Sequence, residues 1–121
     1  AGEAARAVEL LTSHMRLDPF YQPNAPVALA YAYYMLRRYE EAMPLLLEAA
    51  ARAPKMAHCR YVLAMTYAQM GRQDETAEHV AQALRLEPWY KISNSLTAGY
   101  FLRTQDREHL VDGLRKAGFP E

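Results

Sequence analysis

Catalysis or metal binding requires a nucleophile, an acid–base pair or a set of ligands held close together, and few residues in this chain are of those types. His58 and Cys59 are its one pairing of soft ligands. Adjacent residues on a helix point about 100° apart, so these two cannot face the same ion, and no third ligand stands at zinc spacing. The other histidines are scattered. His79 beside Glu78 and His109 beside Glu108 read as solvated helix faces, and His14 stands where later segments carry Ala49, Ala83 and Ala117, which places it at a helix contact or a frayed edge. No Gly-rich phosphate loop or nucleophile elbow occurs. The expectation is no catalytic residue, no metal and no cofactor.

The elements that would position any site repeat with a period of 34 residues. Leu29-Ala30-x2-Tyr33 recurs as Leu63-Ala64-x2-Tyr67 and, degraded, as Thr97-Ala98-x2-Phe101. A second pattern begins after each aromatic residue. It reads Ala42-x3-Leu46-x2-Ala49-x4-Pro54, then Thr76-x3-Val80-x2-Ala83-x4-Pro88, then Leu110-x3-Leu114-x2-Ala117, and Ala7-x3-Leu11-x2-His14-x4-Pro19 is the same half-unit near the start. Offsets of three and four place residues on one helical face, so each unit holds two amphipathic helices. Helices are predicted over about 3–16, 25–37, 40–52, 57–70, 74–86, 91–103 and 106–117. Gly71 suits a left-handed helix end, Asp74 a helix start, and Pro54 and Pro88 stand where helices must stop. Pro44 falls inside the third helix, either near its first turn or deep enough to remove a backbone bond. The charged stretches Arg37-Arg38 with Glu40-Glu41, and Arg103 to Arg107, read as solvated connectors.

This pattern resembles the tetratricopeptide (TPR) family, whose signature W-x2-L-G-x2-Y, A-x3-F and P at this period is met in spacing almost throughout. The departures are Pro26, Arg60 and Asn94 where a large apolar residue is expected, and Thr76 and Leu110 where a small one is. The resemblance implies an all-α, right-handed superhelical solenoid of about three and a half helix pairs. It divides the chain into a half repeat (1–19), two full repeats (20–54 and 55–88) and a degraded terminal repeat with its cap (89–121). The run Leu114 to Glu121 is also similar to the ends of TPR segments attached to bacterial class III adenylate and guanylate cyclases. As plain structure, Gly118 is a helix cap that brings Phe119 onto Leu114, and Pro120 prevents continuation.

In TPR superhelices the first helix of each repeat lines a concave groove. That implies a partner-binding stripe of Asn24, Val27, Tyr31, Tyr34 and Met35, then His58, Tyr61, Met65, Ala68 and Gln69, then Ile92, Ser95, Gly99, Leu102 and Arg103. Aromatic and methionine side chains are enriched in recognition surfaces. One TPR subfamily clamps a carboxylate tail with lysines and asparagines; here those places hold Val27, Tyr31, Tyr61 and Met65. The expected ligand is therefore an apolar or aromatic peptide or helix. The alternative is an oligomerisation or regulatory module for an attached catalytic domain such as a nucleotide cyclase.

Composition agrees with a protein partner. Half of the 121 residues (51%) are hydrophobic, and 14 basic residues balance 14 acidic ones, so no net field attracts nucleic acid. The longest apolar run, Val27 to Leu36, is about half the ~20 residues of a membrane span. A single cysteine, Cys59, favours a reducing, cytoplasmic setting. The chain reads as part of a longer protein, opening halfway through a repeat. Ala7, Val8, Leu11 and Met15 on its first helix would then lack their usual cover, which predicts self-association through residues 3–16 or fraying.

Overall fold

The computed structural model of this chain describes residues 2–98 and 104–121. Within them lie seven α-helices and no strand: α1 (Gly2–Leu17), α2 (Asn24–Met35), α3 (Tyr39–Arg52), α4 (Ala57–Gln69), α5 (Gln73–Leu86), α6 (Ile92–Ala98) and α7 (Thr104–Ala117). Helices α2 and α4 are apolar around their circumference, as helices buried on several sides are. In contrast α3 and α5 are one-sided, with acidic residues in the first turn and Arg52 and Arg85 in the last, which complements the helix dipole.

Sequence periodicity is reproduced in backbone detail at the two hairpin turns. After α2 the N–H of Arg38 donates to Tyr33 O at 2.8 Å; after α4 the N–H of Arg72 donates to Tyr67 O at 3.0 Å. Both closures need one residue in the left-handed region. Gly71 supplies it at φ 75°, as expected, but in the preceding turn the same place is held by Arg37 at φ 60°. Arg38 and Arg72 lie over the rings of Tyr33 and Tyr67, 4.9 and 5.4 Å from the centroids, and pair with Glu41 and Glu75. Asp74 is not a cap: α5 starts one residue before it, after Arg72. Pro44 is the sixth residue of α3, so the backbone bond it lacks is one to Glu40 O. Helices α3 and α5 stop before Pro54 and Pro88, and Gly118 ends α7 at φ 95° with Phe119 N–H on Leu114 O at 3.2 Å.

Side chains pack into two cores. The first joins α2, α3 and α4 through Val27, Ala30, Ala42, Leu46, Ala49, Cys59, Val62, Leu63 and their neighbours, with none of the described side chains of α6 or α7. The second collects Tyr34, Tyr61, Ala64, Met65 and Ala83 with Ile92, Leu110, Leu114 and Phe119, so the C-terminal segment supplies a large part of it.

Stacking is regular from α1 to α5 and then changes. Helix α7 packs most extensively on α4, with further contact to α2, α5 and α6. It therefore lies along the inner, first-helix side of the array rather than continuing the outer row of α3 and α5. The end of the chain is tied down behind it: Ile92 N–H donates to Pro120 O at 2.7 Å.

Candidate binding groove

Helices α2 and α4 present their inner faces to the concave side, and the residues of the expected stripe divide there into two groups. Towards α1 the groove is open. Ala4, Ala7 and Leu11 of α1, Ala28, Tyr31, Ala32 and Met35 of α2, His58 of α4, and the acidic Glu3 and Asp106 enclose a hollow of about 360 Å³. Tyr31 and Met35 are half-buried and His58 is exposed at its surface. The Tyr31 and His58 rings stand 6.4 Å apart. Burial, followed by Asp106, pushes the Tyr31 phenol up to about 12. Burial also lowers the pKa of His58, against the pull of Glu87. The alanine, leucine, methionine and tyrosine side chains that line the hollow favour an apolar occupant.

Towards α5 the groove is filled. Tyr34, Tyr61 and Met65 are buried, which corrects their expected place as an open part of the stripe: α7 covers them together with Tyr90 and, beyond the end of α7, Phe119. Tyr34 Oη donates to His109 O at 2.8 Å and its ring stacks on the His109 imidazole at 4.4 Å. A Cβ at Gly113 would fall inside contact distance of Tyr34 Oη and 3.3 Å from Met65 Cβ, so only glycine lets the helix approach this closely. Gln69 Nε2 donates to Asp112 at 3.0 Å while Gln69 Oε1 accepts from Lys116 at 3.1 Å. Tyr61 stacks on Tyr90 at 4.2 Å, meets Phe119 edge-on at 5.4 Å and bonds Glu87. Between the open and filled halves remains a cavity of about 230 Å³ edged by Tyr31, Tyr61, Met65, Leu110 and Leu114.

Val27 is not a groove residue: at 1% exposure it belongs to the first core. Asn24 is exposed at the start of α2 and lines neither hollow. Arg103, with Gly99 and Leu102, lies outside the described residues.

The histidines also differ from expectation. His79 and His109 are 8% and 6% exposed rather than solvated. The Arg37 guanidinium lies 3.0 Å from His109 Nδ1, and since it can only donate, that nitrogen must be the unprotonated one. The Nε2–H then faces Tyr34 O at 3.2 Å and Tyr39 Oη at 3.1 Å. Arg60 and His79 Nδ1 repeat the arrangement at 3.3 Å. Burial and, next, the neighbouring arginine lower the pKa of both imidazoles. His58 and Cys59 point apart, as adjacent helical residues do: Cys59 is fully buried and its thiol bonds Leu46 O at 3.3 Å. Among the described residues no three His, Cys, Asp or Glu converge as metal ligands would.

Sequence reasoning missed the role of α7 because the period gives it the same place as α3 and α5. A signal was present. At the positions 34 residues apart, a small residue followed three later by a larger one (Ala42/Leu45, Thr76/His79) becomes Leu110/Gly113. The size order inverts, so the close-approach face of the helix has moved.

Paired antiparallel helices at this period, with a concave first-helix face, define a TPR-type repeat scaffold, a class that works by holding other proteins. The family described as anaphase-promoting complex, cyclosome, subunit 3, matches residues 7–83, and the chain belongs to it. That span runs from α1 to the last turns of α5 and excludes α6 and α7. Among solved structures, MamA MSR-1 C2 is similar at 25% identity with a TM-score of 0.65. The match covers 96% of this chain and 66% of that one, so this chain spans about two-thirds of its length. No curated protein is significantly similar in sequence. No helix among the described residues is long and apolar enough to cross a membrane.

Proposed function

We propose that this chain is a non-catalytic docking module that holds an amphipathic helical segment of a partner protein in the half-groove between α1 and α2. One observation carries the reading: the adjoining half of the same surface already holds a helix, α7, through apolar and aromatic contacts. The open half continues that surface with similar chemistry, in Leu11, Tyr31 and Met35. Asp106 on its rim suits a partner helix with a basic residue beside its apolar stripe. Ala28 is exposed and lines the hollow without entering either core, which makes it the position to block.

A displayed library of amphipathic 15-residue peptides, selected against the chain, tests this. Selected peptides should lose about tenfold or more in affinity with Ala28→Glu, the usual effect of a buried unpaired charge at a contact. Peptides indifferent to both Ala28→Glu and Tyr31→Ala would place the binding surface elsewhere.

A further inference from the structure

We propose that α7 is an internal ligand of the groove, a detachable helix occupying a seat that a partner helix with a glycine or similarly small residue at its centre takes in its stead. The proposal rests on the groove reading above and extends it to the filled half.

Three independent observations lead here. First, the buried residues of the first core come from α2, α3 and α4 with none from α7, so removing α7 uncovers a face of the second core and leaves the first one's members in place. Second, the seat reads the ligand. Tyr34 Oη accepts from Gln69 Nε2 of the seat at 3.1 Å, donates to His109 O of α7 at 2.8 Å and faces Gly113, so a larger residue at that point of the entering helix collides with it. Leu110 and Leu114, three before and one after, fill the apolar seat on either side. Third, the backbone carries strain for this contact. Where the next repeat has Gly71, Arg37 holds a left-handed φ of 60°, a conformation that disfavours any residue with a Cβ. A glycine there would satisfy the turn. Arginine alone among these choices also reaches His109 on α7, at 3.0 Å. The strained turn is thus explained by what its side chain holds.

The test uses the full chain and, as probe, a fluorescent peptide with the sequence of residues 104–121. Gly113→Ala makes α7 a better isolated helix, since alanine is the stronger helix former, yet obstructs its seat. In that variant the amides of α7 should exchange at least tenfold faster while those of α2–α4 keep their protection. The probe should bind the variant at least tenfold more tightly than the parent, whose seat is occupied. A probe carrying the same Gly→Ala change should not bind, despite its higher helicity. Arg37→Gly, which relieves the turn, should give a smaller gain of about threefold, with core protection unchanged or raised. Equal probe binding by parent and variant, or undiminished protection of α7, overturns the proposal. So does loss of protection throughout α2–α4, because α7 would then be an integral wall. Failure of the α1–α2 half is read separately at Ala28, since that hollow takes only Asp106 from α7.

Discussion

Protonation decides whether the two buried imidazoles fit their surroundings. Each presents Nδ1 to an arginine, which can only donate, so each is built into the fold as the neutral form. Facing His109 are Arg37 and Tyr34 from the α2 side, Tyr39 from α3, and Asp112 and Lys116 from its own helix. Its pKa in the folded protein lies below the ordinary 6.5, as do those of His58 and His79, with burial the leading cause in all three. Below pH 6.5 the unfolded chain therefore binds protons that the folded chain refuses. The histidine contribution to stability is complete above that pH and is lost progressively as pH falls from 6.5 through the lowered folded values. The melting temperature should drop between pH 7 and pH 5, and less so in His109→Gln. A flat profile would show that these imidazoles accept protons without losing their partners. Asp112, Glu75 and Glu121, whose pKa values are also lowered, are carboxylates that act in a separate, more acidic window.

Helix α1 has no buried residue. Ala7, Val8, Leu11 and Met15, expected to lack cover, are half-buried; the apolar residues left outside are Leu10, Leu17 and, in the following turn, Phe20, at 61%, 84% and 87% exposure. Leu10 and Leu17 stand two helical turns apart on one face. If this edge associates, Leu17→Glu should reduce the weight-average mass in sedimentation at high concentration, and Leu11→Glu should lower stability as well. A monomer unaffected by either change would show that the edge is tolerated in water. Most helices were legible from their period, and their ends from Gly71, Gly118, Pro54 and Pro88, because those residues act locally. Asp74 was misread since turn geometry let α5 begin at Gln73, without a side-chain cap. The groove stripe was legible as a face of α2 and α4, but its occupant was not. A periodic pattern reports which residues share a face, not which distant helix arrives there, and only Leu110 and Gly113 broke the pattern in a way that tells. Arg37 was hidden for a different reason: the left-handed turn selects glycine, and an arginine there looks like any surface charge until its reach to α7 is seen.

Two cores within one chain predict two openings that can be told apart. Cys59 reports on the first: it is fully buried, and burial raises its thiol to about 11, so at neutral pH it is neither accessible nor ionised until that core opens. Leu46→Ala, which removes a fully buried side chain beside it, should cost about 2–5 kcal/mol and speed labelling of Cys59 at least tenfold. Leu114→Ala empties an equally buried position in the second core. It should leave the labelling rate within about threefold of the parent if the cores open separately. Equal acceleration by both would mean one cooperative unit. Helix α7 differs from any other occupant of the groove in being covalently attached. A tethered group of this kind competes at an effective concentration of about a millimolar. A partner present at about a micromolar must then prefer the seat roughly a thousandfold over α7 merely to hold it half the time. The tether thus acts as a threshold: casual encounters with apolar helices in a crowded cell are turned away by mass action before shape is ever tested.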